Sequence, residues 1–178
     1  MHADQQQTLV QKARDGDHDA WASLYIGIYP RLRAYAAART GPGAAEDLVN
    51  ETMARAVAGI HSFTWEPTGF DAWIFGIMRN VCLEHQRRTR RHRRDAATQV
   101  VYDGFHPGEE IELAEDHKAV RIAFDKLSPR DREILELRLI SGLSADQAAK
   151  VLGKRAGAVR TAQSRALANL RQLMGGSA

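Results

Sequence analysis

The spacing of apolar residues constrains this chain most. In nearly every periodic segment they recur at steps of three and four, as on one face of an α-helix, instead of alternating as they would in strands. The fold class that follows is all-α. In the first segment Ala20, Trp21, Leu24, Tyr25, Ile28, Leu32, Tyr35 and Ala36 form one stripe, and Thr40-Gly41-Pro42-Gly43 supplies a turn. A second helix is expected from Ala44 to Ile60, with Ala45, Leu48, Val49, Met53, Ala56, Val57 and Ile60 buried. Glu46, Asp47, Asn50 and Glu51 are left on its outer face, which is therefore acidic. A loop from His61 to Gly69 carries Phe63 and Trp65, two aromatics that solubility does not require. A third helix starts near Phe70 and buries Phe70, Trp73, Ile74, Ile77, Met78 and Val81. At about 100° per residue, Arg79 falls about 180° and Arg87 about 260° from Phe70, so this helix has an apolar and a basic side.

Charge divides the chain. The net charge is only +3, yet seven arginines lie between Arg79 and Arg94, and the segment from Asp95 to His117 holds Asp95, Asp103, Glu109, Glu110, Glu112, Glu115 and Asp116 without a Lys or Arg. One uniform globular domain has no physical reason to segregate charge in this way, and a basic block creates a field that attracts a polyanion. With Gly104, Pro107, Gly108 and little periodicity, residues 95–117 read as a flexible acidic linker. The expected domains are residues 1–94 and 118–178, and a length of 178 residues suits two small helical domains.

Other classes fall away. No stretch approaches the roughly 20 apolar residues of a membrane span, which predicts no membrane insertion, and the N-terminus lacks the apolar middle of a signal peptide. The expected location is the cytoplasm. The single cysteine, Cys82, cannot form an internal disulfide. Cys82 and His85 lack a third and fourth metal ligand. No cofactor fingerprint or nucleophile–base set is present.

After the linker a helix runs from near Asp116 to Leu127. Ser128-Pro129-Arg130-Asp131 then supplies an N-cap, a proline at the first helical position and an acid in the first turn. Ser144-Ala145-Asp146-Gln147 is a capping box opening a short helix to Leu152, Gly153 ends it, and a longer helix spans Ala156 to Met174. With Gly157 at 0°, Val159, Ala162, Ala166, Leu170 and Leu173 fall between about 140° and 220°, the core side. Gly157, Thr161, Ser164 and Ala168 fall within about 40° of zero, with Arg160 near 300° and Arg165 near 80° at the edges. A small polar face edged by arginines suits the major groove as the second helix of a helix-turn-helix. The same pattern also fits an ordinary helical hairpin with a solvated face.

Taken together, AEDLVNETMARA (45–56), FDAWIFGIMRNVCLEHQRRTRRHRR (70–94) and the stretch from LSPRDREIL (127–135) to Arg171 resemble the extracytoplasmic-function sigma factors of bacterial RNA polymerase. The resemblance covers almost the whole chain. It implies that the acidic helix docks on the clamp helices of the large polymerase subunit through Asp47, Asn50 and Glu51. It implies that the following loop captures a base flipped out of the minus-ten element, with Phe63 and Trp65 either stacking on bases or tucked into the core. Arg79 and Asn80 match the family's promoter-reading pair, and Arg87, Arg88, Arg90 and Arg91 would meet phosphates. The C-terminal helix-turn-helix would read the minus-thirty-five element. There the sequence departs from the family, since Ala162 stands where members often carry a basic residue, and the retained contacts are Arg155, Arg160, Thr161, Ser164 and Arg165. The implied partners are core RNA polymerase, promoter DNA and an anti-sigma factor wedged against or between the domains.

Two other readings use the same residues. One is a helix-turn-helix regulator that binds duplex DNA without polymerase, which leaves the Arg79-Asn80 helix and the aromatic loop unused. The other is an all-α, Mg-dependent nucleotide pyrophosphatase with Glu46, Asp47, Glu51, Glu133 and Glu136 as ligands, although the last two lie beyond the linker. The reading that uses every motif is a non-enzymatic sigma factor.

Overall fold

A computed structural model describes residues 3–95 and 115–175. The chain divides into two compact units, Met1–Pro107 and Gly108–Ala178. Every described element is helical. Residues 96–114, the greater part of the expected linker, lie outside the described residues.

The first unit contains α1 (Ala3–Arg14), α2 (His18–Thr40), α3 (Pro42–Gly59), a 3-10 turn (Ile60–Ser62) and α4 (Gly69–Asp95). Asp17 caps α2 by accepting from Asp19 N at 2.9 Å and Ala20 N at 3.0 Å. Gly41 ends α2 at φ +87°, where a side chain would be strained, and Pro42 opens α3 with the fixed φ of a first helical residue. The core gathers Leu24, Leu32 and Tyr35 from α2, Leu48 and Val49 from α3, and Phe70, Ile74, Phe75 and Met78 from α4. Each such side chain contributes about 1.5–3 kcal/mol on burial.

Five residues of the expected stripes are not fully buried, and the core takes in others in their stead. Trp21, Tyr25, Trp73 and Ile77 are only half-buried, and Val57 is exposed. Thr52 lies in the core instead, where its hydroxyl donates to Leu48 O at 2.7 Å and leaves no unpaired polar group. Phe75 is also fully buried, with its ring edge-on to Tyr35 at 5.8 Å. Helix α1, which sequence reading passed over, is anchored by Gln6 Nε2 donating to Asp71 Oδ1 at 2.7 Å and by Arg14 donating to His61 O at 3.1 Å. Asp71 also pairs with Arg31 of α2, so one carboxylate on α4 joins three helices.

The second unit contains α5 (Glu115–Asp125), α6 (Pro129–Leu135), which continues into a π-helical turn (Glu136–Ile140), then α7 (Ala145–Leu152) and α8 (Ala156–Gly175). The local signals act as the sequence predicts. Ser128 Oγ accepts from Asp131 N at 3.1 Å. Ser144 Oγ accepts from Gln147 N at 3.1 Å while Ser144 N donates to Gln147 Oε1 at 2.8 Å, completing the capping box. Gly153 turns the chain at φ +62°, in the left-handed region, and Lys154 N closes the end of α7 on Ala149 O at 2.9 Å. Helix α8 packs on α5, α6 and α7. Ile134, Leu135, Leu137, Leu143, Ala148, Val159 and Ala166 fill the space between these helices.

Candidate nucleic-acid interface

The register of α3 turns Asp47, Asn50 and Glu51 to solvent on one face, because the intervening Leu48, Val49 and Thr52 are needed inside. Their circumstances differ. Among the described residues Asp47 and Asn50 have no side-chain hydrogen bond or ion pair, whereas Glu51 accepts from Arg55 Nε at 2.7 Å. Arg55 also reaches α4, donating to Glu84 Oε1 at 3.0 Å and Oε2 at 2.7 Å. The two carboxylates, Glu84 first and Glu51 second, raise the Arg55 guanidinium further above its usual range, and Arg55 holds the Glu84 carboxyl below its own. Glu46 accepts from Tyr29 Oη at 2.7 Å.

The aromatic loop separates its two rings. Phe63 is 6% exposed, packed at ring-centroid distances of 4.9 Å from Trp73, 6.1 Å from Trp65 and 6.2 Å from Phe70. Of the two alternatives the sequence leaves open for Phe63, this packing matches the core, where Trp73, Trp65 and Phe70 meet its ring. Trp65 is half-buried and lines a groove of about 520 Å³ against α1, where Asp4, Gln7, Gln11, Lys12 and Arg14 are among the residues of the other wall. A ring beside hydrogen-bonding and cationic groups suits an unpaired base. The α1 wall was missed in the sequence, where Val10 and Ala13 give only a faint helical signal in a polar stretch.

Helix α4 is held to its unit at Gln86, which donates to Arg39 O at 2.9 Å. Arg87, Arg88, Arg90 and Arg91 all stand in solvent, so the last turns carry charge with no core to serve. On the wheel used above, Asn80, Arg87 and Arg91 fall within about 40° of one another, a line running along one side of the helix. Asn80 is exposed, whereas Arg79 is half-buried and has a partner within the chain.

In the second unit Gly157, Thr161, Ser164 and Ala168 form an exposed strip on α8. Thr161 donates to Gly157 O at 3.1 Å and Ser164 to Arg160 O at 3.2 Å, which leaves both hydroxyl oxygens free to accept. Arg155 and Arg160 are exposed without a partner among the described residues. Arg165 is different: its Nη2 is 3.1 Å from Oδ1 of Asp131 on α6, while Asn169 donates to Oδ2 at 3.2 Å. Burial pushes the Asp131 carboxyl up, but hydrogen bonds from Arg165, Ser128 and Asn169 outweigh it and hold it below the usual carboxylate range. Ala162 is 6% exposed, so the residue that departs from the family pattern lies inside, as the helical wheel predicts.

The carboxylates of the pyrophosphatase reading are divided: Glu46, Asp47 and Glu51 belong to the first unit, Glu133 and Glu136 to the second, and Glu136 is 1% exposed. Among the described residues no group of three His, Cys, Asp or Glu side chains is placed to hold a metal, and no helix is long and apolar enough to cross a membrane.

Comparison with known proteins agrees with this geometry. Residues 24–92 match the Sigma-70 region 2 family and residues 117–170 the Sigma-70, region 4 family. The ECF RNA polymerase sigma factor EcfG of Rhodopseudomonas palustris is 36% identical over 84% of this chain and 82% of its own length. ShbA of Streptomyces griseus, another ECF sigma factor, is 30% identical over 93% of both chains. BldN of Streptomyces coelicolor is 33% identical over 93% of this chain, which spans only 64% of that relative. Among solved structures, CnrH in complex with the cytosolic domain of CnrY gives a TM-score of 0.73 at 26% identity, covering 98% of this chain and 99% of that one. The sigma factor RpoE of Bartonella quintana, in complex with the anti-sigma factor NepR, gives 0.69 at 29% identity over 88% of this chain and 98% of that one. With both sigma regions in order on one chain and relatives matched along most of their length, this chain belongs to the ECF sigma factors of RNA polymerase.

Proposed function

We propose that the chain acts in the cytoplasm as a promoter-specificity subunit, with Asp47, Asn50 and Glu51 docking on core polymerase. The carrying observation is that the first unit offers an acidic face with two unpartnered side chains on α3 and, on α4, a protruding basic end following Asn80. Trp65, Arg79 and Asn80 then engage the minus-ten element, Arg87, Arg88, Arg90 and Arg91 meet phosphates, and Trp65 stacks on a base taken out of the duplex. Arg155, Arg160, Thr161, Ser164 and Arg165 engage the minus-thirty-five element. The chemistry is binding and strand separation, without covalent catalysis. An anti-sigma factor, of the kind found on RpoE in its complex with NepR, holds the chain inactive.

Run-off transcription with core polymerase on pooled genomic fragments tests this. Discrete starts sharing two upstream elements, lost in Asp47→Arg, Glu51→Arg protein, are expected. Duplex binding without polymerase and no new starts would instead identify a free-standing helix-turn-helix regulator.

A further inference from the structure

We propose that Asp131 is a positioning residue that makes Arg165 a fixed phosphate clamp at one edge of α8, leaving base reading to the untethered Arg160 and the Thr161–Ser164 strip. This rests on the reading of α8 as the helix that lies on promoter DNA.

Three observations carry it. Asp131 is 6% exposed in the first turn of α6, so its carboxylate is a rigid anchor, fixed by the Ser128 cap and unable to swing toward the groove. It grips α8 at two positions one turn apart, Arg165 at 3.1 Å and Asn169 at 3.2 Å, so it remains ligated by Asn169 if Arg165 moves. The Arg165 side chain nevertheless stays 53% exposed, which leaves N–H groups available to an outside acceptor. One amino group is held against the body of the unit, and the residue sits about 80° from the centre of the exposed strip. A guanidinium drawn back and sideways faces the wall of a groove and not its floor, where phosphates lie. Holding it also removes rotamer entropy before DNA arrives, so less is lost on binding. Arg160, on the opposite edge, has no such tether and keeps both of its hydrogen-bonding forks for base edges.

The test uses holoenzyme assembled from core polymerase and the full chain, on a promoter obtained by run-off transcription. Binding is measured against salt for the wild type, Asp131→Asn, Arg165→Gln, the double variant and Asn169→Ala, on the native minus-thirty-five element and on its single-base variants. Arg165→Gln is expected to weaken binding about three- to tenfold and to lower the slope of log K against log salt by about one, equally for every base variant. Asp131→Asn is expected to weaken binding in the Arg165 background and to have no further effect once Arg165 is Gln. Asn169→Ala removes the other ligand of Asp131 and should leave the salt slope unchanged, which separates loosening of the fold from loss of the clamp. Asp131→Glu, which keeps the charge and shifts the carboxylate by one methylene, is a second probe expected to lower affinity without altering base preference.

Relaxed discrimination at one base pair in Arg165→Gln would overturn the clamp in favour of base reading. An equal effect of Asp131→Asn in both backgrounds would reduce Asp131 to a fold residue, and tighter binding would make it a restraint on Arg165. Wild-type holoenzyme indifferent to the minus-thirty-five element would overturn the assignment of α8 as well.

Discussion

Arg55 of α3 donates to both carboxylate oxygens of Glu84 on α4, at 3.0 Å and 2.7 Å, just before α4 leaves the body of its unit. The pair couples the helix with the acidic outer face to the helix with the basic end. Both side chains are more than a third exposed, so the pair is worth at most about 1 kcal/mol. Arg55→Gln is therefore expected to lower the melting midpoint of this unit by no more than about 8 °C. Its larger effect should be on DNA opening, because the base of the α4 extension is freed. Tryptophan fluorescence follows the unit, since Trp21, Trp65 and Trp73 are the chain's three tryptophans, all in this unit. Permanganate reactivity of the promoter follows opening, and unchanged reactivity would confine the pair to stability.

Phe63 and Trp65 should separate cleanly on replacement by alanine. Phe63→Ala removes a ring packed on three others and should cost about 3–5 kcal/mol, a large part of the stability of a small unit. Trp65→Ala removes a half-buried ring and should melt much closer to the wild type. If that ring stacks on an unpaired base, its loss costs about 1–3 kcal/mol of opening. Trp65→Phe should restore part of that. Open-complex yield from Trp65→Ala equal to the wild type would remove the base-capture role.

What the sequence made legible was local. Ser128, the Ser144–Gln147 box and Gly153 act through atoms within a few residues, and all behave as their residue types predict. The core side of α8, Ala162 included, follows from helical periodicity alone. What the sequence left open or missed depended on distant neighbours. Phe63 is core because Phe70 and Trp73 of α4 close over it, and Tyr25 is half-exposed because the helices against α2 cover only part of its stripe. Helix α1 buries only Val10 and Ala13 in a polar stretch, too weak a pattern to stand out. The π-helical turn has a long-range partner as well, since Arg138 within it donates to Gln163 of α8 at 2.7 Å and to Leu143 O. In the site, the acidic and small polar faces could be read from spacing, whereas the Asp131–Arg165 pair joins residues 34 apart and no local pattern announces it.

Gly153 and Gly157 should respond oppositely to alanine. Gly153 sits at φ +62°, so Gly153→Ala imposes strain even though a Cβ there would meet nothing within 4 Å, and should destabilise the second unit by about 1 kcal/mol. Gly157 is helical and exposed, with open space around a new Cβ, so Gly157→Ala should leave stability unchanged or raise it by up to about 1 kcal/mol. Its cost appears only with DNA in place, where the methyl group occupies the space of closest approach. Higher stability with weaker promoter binding is the expected pair of results, and unimpaired binding would move the contact away from Gly157.

Acid should weaken the second unit through Asp131. Its folded pKa lies below that of the unfolded residue, about 3.9. The sign follows from proton counting: between the two values the unfolded chain binds the proton and the folded chain does not, so stability rises with pH. The contribution is complete above about pH 5 and is lost as the pH falls through the folded value. Wild type and Asp131→Asn should therefore differ by a constant amount near neutrality and converge in acid. This unit contains no tryptophan, so amide hydrogen exchange across α6 and α8 is the suitable readout. A difference that persists unchanged down to about pH 2 would show that the carboxylate's charge contributes nothing and that Asp131 acts only through its shape.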